Sequence, residues 1–332
     1  MKIEFFSAKP YDKLFFDRSN VRYGFELVYH ETHLGPHAVD IIKDATAVCV
    51  FVNDKLSAEV IEVLSRKGVK IIALRCAGFN NVDLETAKKF GMAVCRVPAY
   101  SPEAVAEHTV AMLLTINRKT HKAYNRVREQ NFSLNGLLGY NLSGKTVGII
   151  GTGKIGKAFI RIMLGFGCKI LAYDIIKDAD LAGKGLPYVS LEELLQASDI
   201  ISLHCPLSKE NHYLINKKTL SQMKPGVTLV NTSRGGLINT VDIIEALKTK
   251  KVAALCIDVY EQEEVLFFKD LSSDIVDDDV IQRLMSFPNV LITAHQAFFT
   301  EEALTEIAEV TLENISRLAG NSMEANSPVM LT

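Results

Sequence analysis

The sequence lacks tryptophan, a charge excess of either sign and any long apolar run. Its 332 residues include 37 Lys and Arg against 39 Asp and Glu, a formal net charge of −2, whereas nucleic-acid-binding proteins usually carry a basic surplus. No stretch approaches the ~20 consecutive apolar residues that span a membrane. Glu4 and Pro10 interrupt the first residues before the apolar region of a signal peptide could form. These absences predict a cytoplasmic protein that binds neither nucleic acid nor membranes.

Cysteine is also scarce, and its distribution argues against a metal site. The six cysteines form no CxxC pair and no cluster with histidine, the usual signs of bound zinc. Most lie in apolar runs such as AVCVFV and ALCIDV, so the sequence predicts buried, reduced thiols and no metal. They are Cys49, Cys76, Cys95, Cys168, Cys205 and Cys256.

The sequence does contain an alternation of short β-branched runs and longer helical patterns, which is typical of parallel sheets covered by helices. The predicted strands are Ile3–Phe6, Ala47–Val52, Val69–Leu74, Met92–Val97, Thr146–Ile150, Lys169–Tyr173, Ile200–His204, Thr228–Asn231, Ala254–Asp258 and Val290–Ile292. The predicted helices include Ser57–Lys67 before Gly68, Asp83–Phe90 before Gly91, a long helix from Ser101-Pro102, and 301–318 after the cap Thr300.

A glycine-rich segment in mid-chain predicts a nucleotide site. Residues 145–156, KTVGIIGTGKIG, have the pattern of a strand, a GxGxxG turn and the start of a helix. In this arrangement Gly151 permits the tight turn, Gly153 lets the backbone approach a pyrophosphate, and Gly156 lets helix and strand pack closely. The N-terminus of the helix then favours the phosphate charge.

The residue after the next predicted strand indicates which dinucleotide binds. Asp174 follows the strand at 169–173, where an acidic residue hydrogen-bonds the ribose hydroxyls of NAD. Its carboxylate would repel the 2′-phosphate of NADP, although Lys177 lies nearby in the sequence. The sequence therefore favours NAD.

The position of this motif predicts the domain organisation. A chain of 332 residues is too long for one ordinary core, and the residues before the motif are numerous enough for a domain of their own. We predict an α/β protein with two Rossmann-like, doubly wound parallel-sheet domains. Residues 1–100 and 299–332 would form a flavodoxin-like substrate domain, and residues 101–298 the NAD-binding Rossmann domain. The two crossings of the chain predict a hinge and an interdomain cleft.

Three residue types after predicted strands fit the reduction of a 2-keto acid, which needs a cation for the carboxylate and an acid for the ketone oxygen. Arg234 precedes two glycines, so its planar guanidinium could reach a carboxylate over a flexible turn. His295 follows the strand at 290–292, and histidine, with an ordinary pKa of ~6.5, exchanges protons near neutral pH. His204 also ends a strand, so position alone does not choose between the two histidines.

A carboxylate beside the histidine would stabilise the imidazolium and orient it. Glu261, Glu263 and Glu264 all follow the strand at 254–258, and their spacing does not separate them. A solvated acidic loop is the alternative interpretation of these residues.

At these motifs the chain resembles the D-isomer-specific 2-hydroxyacid dehydrogenase family, and within it the branch of bacterial fermentative D-lactate dehydrogenases. The likeness extends over essentially the whole chain. It is carried by LRCAGFNNVD (74–83), VPAYSPEAVAEH (97–108), GTGKIG (151–156), HCPL (204–207), NTSRGGLIN (231–239), DVYE (258–261) and HQAFFTEEA (295–303). The resemblance implies reversible hydride transfer between NADH and pyruvate, giving D-lactate, by a homodimer or homotetramer.

The resemblance also implies roles for individual residues. Arg234, Glu263 and His295 would be catalytic, and His204 would have a structural role beside the cofactor. The substrate would contact Arg75, Ala77, Gly78, Tyr100, Phe298 and Phe299. Besides the three glycines and Asp174, the cofactor would contact Lys154, Ile155, Cys205, Pro206, Asn211, Thr232, Ser233 and Asp258.

An acidic segment after the predicted strand at 254–258 and the end of the chain are the two remaining features of the sequence. Residues 266–279, LFFKDLSSDIVDDD, resemble an insertion of the D-lactate branch. Taken alone, this segment predicts an acidic surface loop anchored by Phe267 and Phe268. The ending Asn326-Ser-Pro328 departs from the Pro-Asn order that the family leads us to expect, which bears only on how the tail packs.

Other functions of the same scaffold remain alternatives: a glyoxylate or hydroxypyruvate reductase, a phosphoglycerate dehydrogenase, and, as a non-enzyme, an NAD-sensing corepressor. A formate-type site would have Gln in place of Glu263. The short stretch after Leu318 leaves no room for the regulatory domain of many phosphoglycerate enzymes. We also expect a corepressor to have partner-binding tails, which this sequence does not show.

Overall fold

The computed structural model describes residues 1–320, 327 and 329–332. The chain divides into two compact units, residues 1–101 with 299–332, and residues 102–298. Each unit contains a parallel sheet with helices, which confirms the predicted α/β class with two Rossmann-like domains. The hinge and cleft stay a prediction. Of the tail singled out in the sequence, Asn326 and Pro328 lie outside the described residues.

The first unit is built on a five-stranded sheet. Its strands are β1 Lys2–Phe5, β2 Glu26–Tyr29, β3 Ala47–Val50, β4 Ile71–Leu74 and β5 Ala93–Arg96. They pair in the order β2-β1-β3-β4-β5, all parallel. The helices are α1 Pro10–Asn20, α2 Ala58–Arg66, α3 Leu84–Lys89 and, at the end of the chain, α12 Glu301–Ala319, which packs on α1.

The second unit is built on a six-stranded sheet. Its strands are β6 Thr146–Ile150, β7 Lys169–Tyr173, β8 Ile200–Leu203, β9 Val227–Asn231, β10 Val252–Ile257 and β11 Val290–Ile292. Their order is β11-β10-β9-β8-β6-β7, all parallel. The helices are α4 Pro102–Arg118, α5 Thr120–Arg128, α6 Lys154–Gly165, α7 Ala179–Gly183, α8 Leu191–Ala197, α9 Lys217–Gln222, α10 Thr240–Lys248 and α11 Asp279–Met285.

All ten strands predicted from the sequence are present, with ends that differ by at most two residues. The central strands β3, β4, β8 and β9 are buried along their whole length, because helices cover both faces of a parallel sheet. The edge strand β2 was not predicted. None of its residues is fully buried, so its apolar pattern is weak. Helix α1 also escaped prediction, because it buries only three residues, two of them polar.

The predicted helix ends are confirmed by their backbone geometry. Gly68 and Gly91, after α2 and α3, have φ of +86° and +66°, the left-handed conformation that glycine adopts without a steric cost. Thr300 caps α12, because its hydroxyl oxygen accepts a hydrogen bond from the amide of Ala303 at 3.2 Å.

The cysteines lie where the apolar runs of the sequence predict. All six cysteines are unpaired thiols, and every one except Cys205 is buried, as predicted. Among the described residues, no helix combines the length and the apolar character required to cross a membrane. Within the same residues, no group of three or more acidic, histidine or cysteine side chains could hold a metal ion.

Close packing inside the second unit makes Gly148 of β6 sensitive to substitution. A Cβ at this position would lie 2.5 Å from Cδ2 of Leu194 and would also collide with Ser198, both buried. We expect Gly148→Ala to lower the free energy of unfolding by roughly 1–3 kcal/mol, the usual result of overpacking. Urea denaturation measures this. Gly165→Ala, where no atom lies within 4 Å of the added Cβ, is the matched control, and equal stabilities of the two variants would contradict the prediction.

Candidate active site

The glycine-rich turn joins β6 to α6. Gly151 has φ of +100°, and a Cβ there would lie 2.6 Å from the backbone nitrogen of Cys205. At Gly156 an added Cβ would collide with the carbonyl oxygen of Gly151. Gly153, by contrast, has nothing within 4 Å of that position, and no side chain caps the helix that begins at Lys154. The turn therefore has the close packing, the open side and the uncapped helix N-terminus that a pyrophosphate needs.

Asp174 lies beside this turn, directly after β7. Its Oδ2 accepts hydrogen bonds from the amide and the hydroxyl of Thr152 at 2.6 and 3.1 Å, and its Oδ1 accepts one from the amide of Ile176 at 3.1 Å. The carboxylate is thus fixed next to the phosphate loop, where the sequence analysis expects the ribose. Lys177 is the residue whose positive charge left NADP as an alternative cofactor. Its ammonium lies 5.9 Å from the ring centroid of Tyr188.

The predicted cofactor residues after β8 and β9 lie in two loops that contact each other. The hydroxyl of Ser233 donates a hydrogen bond to the carbonyl of Cys205 at 2.6 Å. Within the first of these loops, Asn211 donates to the carbonyl of Pro206 at 2.7 Å. Thr232, also predicted, is buried, and its hydroxyl lies 2.8 Å from the hydroxyl of Thr109 on α4. Both loops follow the carboxyl ends of neighbouring strands, as in other nucleotide-binding sheets. Contact of these residues with the cofactor stays a prediction.

The two candidate histidines are in different chemical environments. His204 lies at the end of β8 with its Nε2 2.9 Å from the hydroxyl of Ser202. Burial lowers the pKa of His204 to about 3, so its imidazole is neutral at physiological pH and lacks the imidazolium proton that a ketone oxygen would accept. His295 instead has a carboxylate partner, Glu263.

His295 and Glu263 form a hydrogen-bonded pair. Nδ1 of His295 lies 2.8 Å from Oε1 of Glu263, and each side chain is 19% exposed. The other oxygen of Glu263 accepts a hydrogen bond from the amide of Tyr260 at 3.0 Å, which holds the carboxylate in place. Because Nδ1 is engaged, Nε2 is the nitrogen available to a substrate.

The other two acids that the spacing allowed are placed differently. Glu261 accepts hydrogen bonds from the hydroxyl of Tyr213 at 2.7 Å and from the amide of Thr240, at the start of α10. Glu264 is exposed. The geometry therefore favours Glu263 as the orienting carboxylate.

Asp258 fixes the turn that contains His295. Its carboxylate is fully buried and accepts hydrogen bonds from the hydroxyl of Thr293 at 2.5 Å and from the amides of Gln296 and Ala297, both at 2.9 Å. Burial by itself would raise the pKa of Asp258, but these bonds and that of His108 hold it below its ordinary value. The predicted contact between Asp258 and the cofactor stays a prediction.

His108 and Thr293 are the residues of this site that the sequence analysis did not single out. Nε2 of His108, on α4, lies 3.2 Å from the hydroxyl of Thr293 and 3.5 Å from Oδ1 of Asp258. His108 does lie within the motif VPAYSPEAVAEH, but nothing in that motif indicates which strand its side chain contacts.

Arg234 follows β9 in a half-buried position, and its guanidinium donates to the carbonyl of Ser233 at 2.7 Å. The glycines after it do not form the flexible turn that the sequence predicts. A Cβ at Gly235 would collide with the backbone of Tyr260, and one at Gly236 would lie 3.0 Å from Cδ2 of Leu207. Gly235 and Gly236 therefore permit close packing, and the loop of Arg234 is held against the loop after β10.

The first unit presents Ala77 and Gly78 in a half-exposed loop after β4. The guanidinium of Arg96 donates to the carbonyl of Ala77 at 2.9 Å and lies 5.0 Å from the ring centroid of Phe79. Arg96 thus supports this loop from β5. Contact of Ala77 and Gly78 with substrate stays a prediction.

Arg75, which the resemblance predicts to contact the substrate, is buried in the first unit. It is 2% exposed, and its Nε donates to Oδ1 of Asp12 at 3.1 Å while another nitrogen donates to the carbonyl of Ser7 at 2.9 Å. Burial would lower the pKa of Arg75, but the Asp12 carboxylate raises it, so the charge persists inside the unit. The side chain of Arg75 therefore joins the residue after β4 to α1 and to the loop after β1, and its contact with substrate stays a prediction.

Three aromatic residues complete the predicted substrate contacts. Tyr100 is half-exposed after β5. Phe299, in the first unit, is 51% exposed, and its ring packs edge-on against Tyr11 with centroids 4.9 Å apart. Phe298 ends the second unit; it is buried and lies edge-on to the imidazole of His295, with centroids 6.5 Å apart. Their contact with substrate stays a prediction.

Comparison with known proteins identifies the family. Residues 110–297 match the family described as "D-isomer specific 2-hydroxyacid dehydrogenase, NAD binding domain". The chain belongs to this family. It is 52% identical over 318 residues to the D-lactate dehydrogenase of Escherichia coli (strain K12), covering 96% of this chain and 97% of that one.

Solved structures of the family have the same fold. The apo-structure of D-lactate dehydrogenase from Escherichia coli matches with a TM-score of 0.91 and 49% identity, and all of both chains is covered. D-lactate dehydrogenase from Aquifex aeolicus, in complex with NAD and lactic acid, matches with a TM-score of 0.87 and 37% identity over 99% of this chain and 98% of that one. These findings confirm the predicted family, fold class and NAD cofactor, and this 2-hydroxyacid dehydrogenase is therefore an NAD-dependent oxidoreductase.

The predicted contact between Asp174 and the ribose can be tested by substitution. We expect Asp174→Ala to reduce the preference for NADH over NADPH by on the order of one to two factors of ten, because the variant loses both the ribose hydrogen bonds and the repulsion of a 2′-phosphate. Steady-state kinetics with each cofactor measure the ratio of kcat/KM values. Asp180→Ala, at an exposed residue of the following helix, is the matched control. Full NADH preference in Asp174→Ala would show that another residue selects the cofactor.

Proposed function

We propose that this chain is a D-lactate dehydrogenase, which catalyses reversible hydride transfer between NADH and pyruvate. The hydrogen-bonded pair of His295 and Glu263 carries the proposal, because it supplies a proton donor with its orienting carboxylate. The D-lactate dehydrogenases among the relatives, one of them in complex with lactic acid, support pyruvate as the substrate.

The residues of the chain perform the acid–base chemistry and bind the substrate. When bound, NADH supplies the hydride for the carbonyl carbon. Nε2 of His295 donates the proton to the ketone oxygen, since Nδ1 contacts Glu263, and the same nitrogen accepts it when lactate is oxidised. The guanidinium of Arg234 binds the carboxylate bidentately.

The experiment that tests this function follows NADH absorbance with pyruvate and, in the reverse direction, NAD reduction with D-lactate and L-lactate. Steady turnover excludes an NAD-sensing corepressor without activity. The panel continues with glyoxylate, hydroxypyruvate, phenylpyruvate and 3-phosphoglycerate, which separates the alternatives within the family. Higher kcat/KM for any of these than for pyruvate or D-lactate would refute the assignment, and oxidation of L-lactate would refute the stereochemistry.

Substitution of Arg234 by lysine tests the carboxylate contact. Arg234→Lys keeps the positive charge but loses the bidentate fork. We expect kcat/KM for pyruvate to fall by at least about 100-fold, which is roughly 2.7 kcal/mol, while the Kd of NADH barely changes. Arg118→Lys, at the exposed end of α4, is the matched control. If Arg234→Lys weakened NADH binding to the same extent, the guanidinium would serve the cofactor instead.

The pair of Glu263 and His295 predicts a change in pH dependence. Pyruvate reduction requires the imidazolium, and the negative carboxylate stabilises that charged form. Glu263→Gln removes that charge and keeps the size. The alkaline limb of kcat/KM for pyruvate should therefore move to lower pH. The acid limb of lactate oxidation should move in the same direction, because oxidation needs the neutral imidazole.

The neighbouring Glu264→Gln is the matched control for this pH series, since Glu264 is exposed. We expect its two limbs to stay where they are in the unmodified enzyme. The limbs are fitted as macroscopic values of a coupled pair. An alkaline limb that stays in place in Glu263→Gln would contradict the pairing.

The assembly and location of the protein are further proposals. We propose a homodimer or homotetramer, supported by the large apolar side chains that lie exposed between residues 124 and 140, among them Phe132, Leu134 and Leu138. Light scattering on the full chain measures the oligomeric state. A cytoplasmic location, and the absence of nucleic-acid or membrane partners, likewise stay proposals.

A further inference from the structure

The imidazole of His295 has an aromatic neighbour from the segment 266–279. The ring of Phe268 lies with its centroid 5.8 Å from that of the imidazole, at an interplanar angle of 38°. Glu263 binds the imidazole at Nδ1, and Phe298 lies edge-on to it. The segment that the sequence analysis interprets as an acidic surface loop therefore reaches the proton donor of the proposed reaction.

Both residues of this ring contact have a strained backbone. Phe268 has φ of +64° and His295 has φ of +52°, a region that residues with a Cβ rarely enter. Such strain persists only where the surrounding structure over-determines the conformation, and it concentrates at functional sites. The tertiary structure therefore determines the relative placement of the two rings, against the local preference of both residues.

The loop of Phe268 is fixed at both ends. On one side, Phe267 is buried in the core of the second unit, and its amide donates to the carbonyl of Glu263 at 2.8 Å. On the other side, the hydroxyl of Tyr260 donates to Asp278 at 3.0 Å, and Asp278 caps α11. Glu263 thus contacts both the imidazole, through its carboxylate, and the segment of Phe268, through its backbone.

We propose that Phe268 is a positioning residue for proton transfer, and this inference rests on the proposed function. Its ring limits rotation of the His295 imidazole and keeps water from one face. Nδ1 then stays on Glu263, and Nε2 stays directed at the ketone oxygen. Proton transfer requires the donor to be placed within a fraction of an ångström. Loss of the ring should therefore reduce kcat and leave cofactor binding unchanged.

The experiment compares Phe268→Leu and Phe268→Tyr in the full enzyme. We expect Phe268→Leu to lower kcat for pyruvate by about tenfold, while the Kd of NADH and the KM for pyruvate change by less than about twofold. Phe268→Tyr retains the ring and should retain at least about half of kcat. Ile275→Ala is the matched control, because Ile275 lies in the same loop and is 97% exposed; its kcat should be unchanged.

A double-mutant cycle separates positioning from a purely structural role. If Phe268 acts through the imidazole, Phe268→Leu should lower the residual single-turnover rate of His295→Gln by less than about twofold. If the full tenfold loss recurs in that background, Phe268 acts on the substrate or the fold, and the proposal is wrong. An unchanged kcat in Phe268→Leu, or a Phe268→Tyr as impaired as Phe268→Leu, would also overturn it.

Thermal melting of each variant identifies a folding defect. If Phe268→Leu melts lower than the unmodified enzyme, Phe268→Met replaces it in the cycle, with the same expected loss of kcat. The proposed function is judged separately, by the unmodified enzyme alone. If that enzyme prefers another 2-keto acid, the cycle is measured with that acid, since the role of Phe268 concerns the proton donor and not the substrate side chain.

Discussion

The arrangement of the second unit depends on satisfying one buried negative charge. A carboxylate that is removed from water costs several kcal/mol unless donors surround it, and the carboxylate of Asp258 is fully buried at the end of β10. Its donors come from the turn after β11 and from α4: the hydroxyl of Thr293, two backbone amides and His108. A different path of that turn would remove the Thr293 hydroxyl and both amides from the buried charge, so Asp258 helps to determine where His295 lies.

The order of the strands explains how the remaining site residues come together. β9, β10 and β11 are neighbours and parallel. The loops that contain Arg234, Glu263 and His295 therefore all follow the carboxyl ends of these strands, on the same side of the sheet. β8 and β6 lie next in the sheet, followed by β7, and their loops contain the predicted cofactor residues. β7 lies on one side of β6 and β8 on the other, so the strand order changes direction there, and sheets of this kind bind dinucleotides at such a switch point. The predicted cofactor residues and the acid–base residues therefore share the carboxyl end of the sheet without being adjacent in sequence.

Local sequence leaves out contacts that explain several features of the structure. Gly235 and Gly236 suggested a flexible turn, but they are small because the backbone of Tyr260 and the side chain of Leu207 approach closely. Arg75 is buried, because Asp12, distant in sequence, provides a carboxylate that pairs with it. The two phenylalanines that were predicted to anchor residues 266–279 contact the core, and Phe268 also lies beside His295.

The sequence by itself determined the series of βα units, the glycine turn with Asp174, the helix ends at Gly68, Gly91 and Thr300, and, through its family resemblance, the NAD-dependent chemistry. Apolar periodicity, caps and glycine turns act over a few residues, so they are visible in one dimension. Only the tertiary structure decided that Glu263 contacts His295. It also decided the contacts of Asp258, His108 and Phe268. Those contacts join residues far apart in the chain, and they exist because buried charges and rings must be packed and paired in three dimensions.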